Sequence, residues 1–561
     1  MRVFKYSALA VCIVFLTVSC VRRGGKVADL VFLNGTLWTV NPDQPWAEAA
    51  AVDGDRIFKV GSTAEIKTLV GKETQVVDLE GALVLPGFTD SHTHFLKGGF
   101  SLSGIQLRDV TSLAQFAERV EAKAAELEKG EWIINGYWDH EQFSPPELPT
   151  KELIDNVSPD NPVCVSRYDL HIALANSLAL KTAGITRDTP SPDGGEIQKD
   201  PKTGEPTGIL RDAAIDLVMR HMPDPSFKAK LRAAEAALNH ARKLGVTSIH
   251  DMANATSFAL NFEVYQELLK EGKLTSRIYF YIPIDKIALF EELKMKSPFG
   301  NDWLRFAGLK GFADGGLGAR TAYFFEPYAD DPETSGLLAP QMFPDGIMEE
   351  RILQAHKEGI QVAIHAIGDR ANDIILDIFD KAVAENGVLD RRWRIEHAQH
   401  LRSEDIERYG KLGVIASVQP YHAIDDGRWA EKRIGEERCR STYAFKSLLD
   451  SGAVLTLGSD WPVAPLNPLV GIYAAVTRQT IDGKNPEGWY PEQKIPLEEA
   501  IKGFTLNPAY TEFAEKIKGS IEAGKLADMV VLDRNIFEIN PEEIKDTWVT
   551  MTILGGCIIY Q

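Results

Sequence analysis

Four times in this chain a helical run ends at a glycine and an apolar strand-forming run begins at the next residue. Lys243-Leu244-Gly245 precedes Val246 to Asp251, and Lys357-Glu358-Gly359 precedes Ile360 to His365. Lys411-Leu412-Gly413 precedes Val414 to Gln419, and Asp450-Ser451-Gly452 precedes Ala453 to Asp460. Glycine just past a helix end takes the left-handed conformation without strain, and a basic residue in the last turn suits the helix dipole. Helices that stop and feed strands directly imply a parallel α/β sheet. Eight strand candidates can be read: Ala82–Leu85, Val246–His250, Arg277–Ile282, Leu304–Phe312, Gln361–His365, Arg394–His397, Val414–Val418 and Val454–Gly458. Eight such units predict a closed (β/α)8 barrel of the TIM type. The rival, an open doubly wound sheet, would want a Gly-rich phosphate loop after its first strand, and none is present.

Short alternating runs flank this repeat. Residues 28–85 carry them with Asn34-Gly35 and Asp53-Gly54 as turns, and residues 519–561 carry them at Asp528 to Leu532 and Val549 to Tyr560. Two small β segments at opposite ends are expected to form one composite β-sandwich, leaving 86–518 for the barrel. Residues 100–225 break the repeat. They hold a helix over Leu113 to Lys129, strand-like Trp132–Tyr137 and Val163–Arg167, and a Gly/Pro/Asp-rich tract from Asp188 to Gly208. An insertion between the first two barrel strands would lie over the mouth and could act as a lid.

The formal charge of −19 excludes a nucleic-acid binder, since phosphate recognition draws on clustered Lys and Arg. Residues 1–20 read as a signal segment: Arg2 and Lys5 precede Ala8 to Leu16, too short to span a bilayer. Thr17-Val18-Ser19-Cys20 resembles a bacterial lipoprotein cleavage box, with Thr17 where an aliphatic residue is usual. A lipidated Cys20 would tether the protein to a membrane in the cell envelope, facing outside the cytoplasm; otherwise the protein would be secreted or periplasmic. Cys164, Cys439 and Cys557 have no disulfide or metal spacing and are expected to be buried thiols. The oligomeric state is left open.

The chemistry begins at Pro86-Gly87-Phe88-Thr89-Asp90-Ser91-His92-Thr93-His94. His92 and His94, two apart on a strand, point the same way, and neutral imidazoles suit zinc and its neighbours. Later strand-like runs end in His365, His397 and Asp460. Together these predict one or two divalent metals at the C-terminal rim of the barrel, zinc first among them. Lys310 lies mid-strand among apolar residues. Its amine would either take up carbon dioxide as a metal-bridging carbamate or pair with Asp314 on the same face. Gln419-Pro420-Tyr421-His422 ends the seventh strand and could face the mouth, with His422 a substrate contact. His250-Asp251 reads as an orienting or structural pair. Glu396, adjacent to His397, is expected on the opposite face, toward the helices.

Several of these runs resemble the amidohydrolase superfamily, specifically amidohydrolase family 3, the branch like N-substituted formamide deformylases. The resemblance is carried by Pro86 to His94, by Asp169-Leu170-His171 with Asn176-Ser177, and by Lys310 to Gly318 with Arg320-Thr321-Ala322. It continues through His365-Ala366-Ile367-Gly368-Asp369, Glu396-His397-Ala398-Gln399 and Gly458-Ser459-Asp460-Trp461-Pro462. It closes with Gly519-Ser520-Ile521, Gly524-Lys525 and Ala527-Asp528. It implies a metal-dependent hydrolase of a non-peptide C–N bond in a small amide-like molecule. His92 and His94 with Asp460 would hold one metal, His365 and His397 a second, and carbamylated Lys310 would bridge them. A metal-activated hydroxide would attack, Asp460 would shuttle the proton, and His171 would help stabilise the oxyanion. His171, Asn176 and Arg320 are candidate substrate contacts; packing within the insertion is the alternative for His171 and Asn176. A deaminase on the same barrel would want a glutamate soon after His365, which is missing, and would leave Lys310 idle. A non-catalytic binding or regulatory protein keeping the fold is disfavoured because no expected metal-site position is substituted.

Overall fold

The computed structural model describes residues 27–102, 104–223, 225–252 and 258–561. The expected signal segment, residues 1–20 with Cys20, lies outside them. Among the described residues no helix is long and apolar enough to cross a membrane.

Eight parallel strands form one sheet in chain order: Phe88–Thr93, Val246–Met252, Arg277–Pro283, Leu304–Phe312, Val362–Ala366, Arg394–His397, Ile415–Val418 and Leu455–Leu457. The four joint glycines Gly245, Gly359, Gly413 and Gly452 all take positive φ, at 72°, 78°, 65° and 87°. Each helix is thereby turned back onto the sheet within one residue, as the sequence pattern requires. The sheet closes into a TIM-type barrel at the C-terminal ends of its first and last strands. There Thr93 bridges Trp461, Asp460 N donates to His92 O at 2.7 Å, and His94 N donates to Trp461 O at 2.8 Å. A side chain at Gly458 would meet the His92 backbone nitrogen at 2.6 Å, so this seam closes only over glycine.

One expected strand is displaced. Ala82–Leu85 does not begin the barrel: Leu83–Pro86 pairs with Thr36–Trp38 and Met529–Leu532 in another sheet, and Phe88–Thr93 is the first barrel strand. The apolar run drew the reading to the wrong sheet. The true strand is mostly polar (Thr, Asp, Ser, His, Thr), and burial of its polar groups in a hydrogen-bonded interior removes the periodic signal.

That interior is ionic as well as apolar. Lys518 Nζ meets Glu512 Oε1 at 3.0 Å, and Glu512 Oε1 meets His250 Nε2 at 2.8 Å. His250 Nδ1 meets Arg394 Nη1 at 2.6 Å, Arg394 Nε donates to Glu396 Oε1 at 2.7 Å, and Glu396 Oε2 meets His92 Nδ1 at 2.6 Å. Every one of these groups is buried. His250 and Asp251 are structural, each bonded elsewhere: Asp251 accepts from Phe95 N and Tyr265 OH.

Strands from both ends of the chain form two further sheets. Arg56–Gly61, Ala49–Asp53, Leu30–Leu33 and Gln75–Asp78 make one. Cys557–Tyr560, Val549–Leu554, Met529–Leu532, Leu83–Pro86, Thr36–Trp38 and Trp46–Ala47 make the other. Phe32 and Val52 of the first share one apolar cluster with Leu37, Val84, Met529 and Ile553 of the second, which makes the pair a sandwich. Cys164 and Cys439 are buried as expected, but Cys557 is exposed on the edge strand Cys557–Tyr560.

The segment after the first barrel strand folds around its own six-stranded sheet, from Ile105–Gln106 to Pro206–Asp212. It is pinned to the chain beyond the seventh barrel strand by two ion pairs and a hydrogen bond. Asp139 pairs with Arg428 at 3.0 Å, Glu141 with Arg433 at 2.7 Å, and Tyr168 OH donates to Asp426 at 3.0 Å.

Candidate metal centre

The seam that closes the barrel also assembles the site. His92 is the fifth residue of the first strand, His94 caps the helix Phe95–Ser101, and Asp460 follows the eighth strand with φ 61°. His92 Nε2 and His94 Nε2 lie 3.5 and 3.3 Å from the same Asp460 oxygen, Oδ1. Their other nitrogens settle the protonation. His92 Nδ1 faces the Glu396 carboxylate and His94 Nδ1 faces the Met252 carbonyl at 3.0 Å; both partners only accept, so each Nδ1 carries the proton. Burial pushes the His92 imidazolium down to about 4, so its Nε2 is a bare lone pair at neutral pH. The His92 lone pair thus faces a carboxylate oxygen that is buried without a hydrogen-bond partner. Such a set repels itself until a cation enters, and one carboxylate with two imidazoles is a donor set that zinc-like ions accept.

His397 stands beside this group. Its ring centroid is 5.0 Å from that of His92 and 4.5 Å from that of His365. Strand alternation would send it away from the barrel axis if Arg394 and Glu396 point inward. Positive φ at His397 (74°) and Ala398 (43°) ends the alternation and returns the ring to the cavity. The expectation for Glu396 is therefore corrected: it points into the barrel and binds His92 and Arg394, and both it and its neighbour His397 face inward because the backbone turns left-handed between them. Burial would raise Glu396, but Arg394 overrides it and keeps the carboxylate ionised.

Three further expectations change. Lys310 does not pair with Asp314. Asp314 accepts from Ile367 N, Gly368 N and Tyr323 N, while Lys310 Nζ is buried, unpartnered and 4.6 Å over the Phe312 ring. Burial brings the Lys310 amine down to about 8. Asn176 takes the packing role within the insertion. It caps the helix Ser177–Thr182, its oxygen accepting from Ala179 N and Val163 N while its amide donates to Ser158 and Asn161. Arg320 is turned into an ion pair with Asp330 at 2.9 Å, away from the cavity lining. Both were read from motif position, which says nothing of where a side chain's hydrogen bonds are used.

His171 does reach the cavity. It comes from the turn before the strand Ile172–Ala175, its ring 5.5 Å from that of His365 and packed over Gly316, where an added side chain would meet it at 2.6 Å. Its Nδ1 lies 2.5 Å from Asp212 Oδ1. Burial disfavours the imidazolium, yet the Asp212 carboxylate outweighs it and lifts it to about 9. Asp212 had no sequence signal; it is reached only through the antiparallel pairing Ile172↔Arg211, and its backbone is itself strained at φ 44°. A cavity open to solvent lies above these groups. Tyr168, Asp169, His171, His397, His422 and Asp460 line it.

Comparison with known proteins agrees with this geometry. The family model described as the amidohydrolase family matches residues 75–560. The chain is 40% identical to Protein LONG AFTER FAR-RED 3 of Arabidopsis thaliana, over 96% of this chain and 92% of that protein. It is 27% identical to N-substituted formamide deformylase of Arthrobacter pascens, over 96% and 99%. The crystal structure of an uncharacterized metal-dependent hydrolase from Pyrococcus horikoshii superposes with a TM-score of 0.74 at 30% identity, covering 91% of this chain and 99% of that one.

Proposed function

This chain belongs to the amidohydrolase family, and on that premise we propose that it hydrolyses a non-peptide C–N bond in a small amide- or formamide-like molecule. The observation that carries the reading is the convergence of His92, His94 and Asp460, whose donor atoms all lie within 4.8 Å of one another. The likeness to a formamide deformylase supports the bond class.

His92, His94 and Asp460 would hold a divalent ion, zinc in this proposal. When bound, such an ion supplies Lewis-acid polarisation of a carbonyl and lowers the pKa of water. Asp460 takes the proton of the attacking water and hands it to the leaving nitrogen. His171 is held by Asp212 through Nδ1, which leaves Nε2–H as its donor toward oxygen as charge develops there. The clamped segment over the mouth shields the reacting groups from bulk water. Lys310, a buried amine without a partner, has the character needed to take up carbon dioxide as a carbamate beside the ion. Residues 1–20 are proposed as a lipoprotein signal that leaves Cys20 as the lipid anchor at a cell-envelope membrane.

A panel of N-acyl and N-formyl amines, assayed with zinc-loaded protein and with Asp460→Asn, tests the reading. At least one amide should turn over, a chelator should abolish the turnover, and Asp460→Asn should keep its ion while losing roughly 10²–10⁴-fold in rate. Full activity in that variant removes Asp460 from proton transfer. No turnover of any C–N substrate by the loaded protein defeats the proposal.

A further inference from the structure

A continuous line of hydrogen bonds crosses the barrel interior and ends on a candidate metal ligand. Lys518 donates to Glu512, Glu512 Oε1 accepts from His250 Nε2, Arg394 Nη1 donates to His250 Nδ1, and Arg394 holds Glu396 against His92 Nδ1. No bond in this line is longer than 3.0 Å. Its members come from the segment after the helix Leu506–Thr511 and from the second, sixth and first barrel strands. Each of the six side chains is at most 3% exposed. The inner end, Glu396 on His92, has an evident use. The outer end, Glu512 with Lys518, has none in the reaction as derived so far.

Donor and acceptor roles along the line admit one arrangement. A guanidinium only donates, so the His250 Nδ1 opposite Arg394 is bare. The His250 proton therefore sits on Nε2, where the Glu512 carboxylate accepts it. Without that carboxylate the ring would be free to carry its proton on Nδ1, setting a donor against a donor. Arg394 has no slack to absorb such a clash. Its remaining N–H groups are taken by Ser91 of the first strand, Tyr281 of the third, Glu396 of its own and Ser417 of the seventh. It grips Glu396 through both oxygens, at 2.7 and 3.0 Å, and Glu396 Oε2 fixes the proton and the tilt of the His92 ring. A disturbance at His250 is thus delivered to His92. A buried ion pair such as Lys518–Glu512 contributes little net stability, because desolvation offsets its attraction. Its effect here is to keep an ionised carboxylate facing His250.

We infer that Glu512 and Lys518 are positioning residues for the metal ligand His92, acting through the tautomer of His250 and the grip of Arg394 on Glu396. This rests on the metal-dependent reading above. Neither residue is among those that line the cavity, and neither touches a reacting group. Their part is to set the orientation and Nδ1 protonation of one imidazole from inside the barrel.

Cobalt binding by the full-length protein tests it. Affinity, from competition with a chromogenic chelator, and the cobalt absorption spectrum are measured for the wild type, for Glu512→Met combined with Lys518→Met, and for His250→Phe. The double variant removes both charges together and so leaves neither orphaned. His250→Phe keeps a ring in place and carries the test if the double variant does not fold, which circular dichroism checks. The control combines Arg277→Met with Asp528→Met, a buried pair bonded at 2.7 and 2.8 Å whose further bonds go to Asp302 and Gly555. Both variants of the line should bind cobalt roughly 10-fold more weakly, the lower end of the range for loss of a ligand's outer partner, with a shifted spectrum. The control should bind within about twofold of wild type with an unchanged spectrum. Line variants with wild-type affinity and spectrum, or a control that loses as much as they do, overturn the inference and leave the hydrolase reading intact. A folded wild type that binds no cobalt overturns both.

Discussion

Replacing Glu396 by glutamine probes how the barrel interior presents His92 to a metal. The carboxylate is fully buried and accepts three hydrogen bonds: from His92 Nδ1 at 2.6 Å, and from Arg394 Nε at 2.7 Å and Nη2 at 3.0 Å. Glutamine offers one acceptor oxygen, and its amide group must face a donor. Removing one partner of a buried ion pair costs about 3–5 kcal/mol. Arg394 keeps hydrogen bonds to His250, Tyr281, Ser91 and Ser417, which places the expected loss toward the lower end, about 3 kcal/mol. Freeing the His92 ring from its outer partner should weaken metal binding by roughly 10–100-fold. The two effects are separable. Urea unfolding of metal-free protein reads the first, and competition with a chromogenic chelator at a temperature where the variant stays folded reads the second. A Glu396→Gln protein that is less stable but binds metal within about twofold of wild type would refute the orienting role and leave Glu396 as interior packing alone.

Asp212 should govern the basic limb of the pH profile. The His171 imidazolium, raised from 6.5 to about 9, adds stability that is complete below 6.5 and is lost as pH climbs through 9. Thermal midpoints of the metal-free protein should therefore fall across that window, and Asp212→Asn should flatten the fall; parallel curves would exclude the pair. Alkylation with iodoacetamide at neutral pH followed by peptide mapping should label exposed Cys557 and spare Cys164 and Cys439, whose thiols burial pushes up to about 12. Gly458→Ala should lower both stability and metal content, because its methyl would lie 2.6 Å from the backbone nitrogen of His92, which cannot swing aside; unchanged metal content would show that the seam tolerates spreading.

The barrel was legible where local physics and tertiary structure coincide. Glycine after a helix needs only its own backbone freedom to declare itself, and Gly245, Gly359, Gly413 and Gly452 all take the left-handed conformation that their position implies. The first strand was misread for the opposite reason. Phe88–Thr93 earns its place through polar atoms bonded inside the barrel, and apolar pattern is blind to such bonds. His92, His94, His397 and Asp460 were legible as chemistry because imidazoles and a carboxylate at strand ends have few uses together. Their partners were not. Glu396 was placed on the wrong face by strict alternation, which the positive φ of His397 ends.

By itself the order of residues determined the strand count, the helix stops and the kinds of donor atom gathered at one rim, because each depends on neighbours within a few positions along the chain. Only the closed structure decided which nitrogen of each imidazole is free, and that Asn176 and Arg320 are occupied elsewhere. Protonation and orientation of a side chain are set by the group opposite it, and in this protein that group is mostly far away in sequence: 304 residues separate His92 from Glu396.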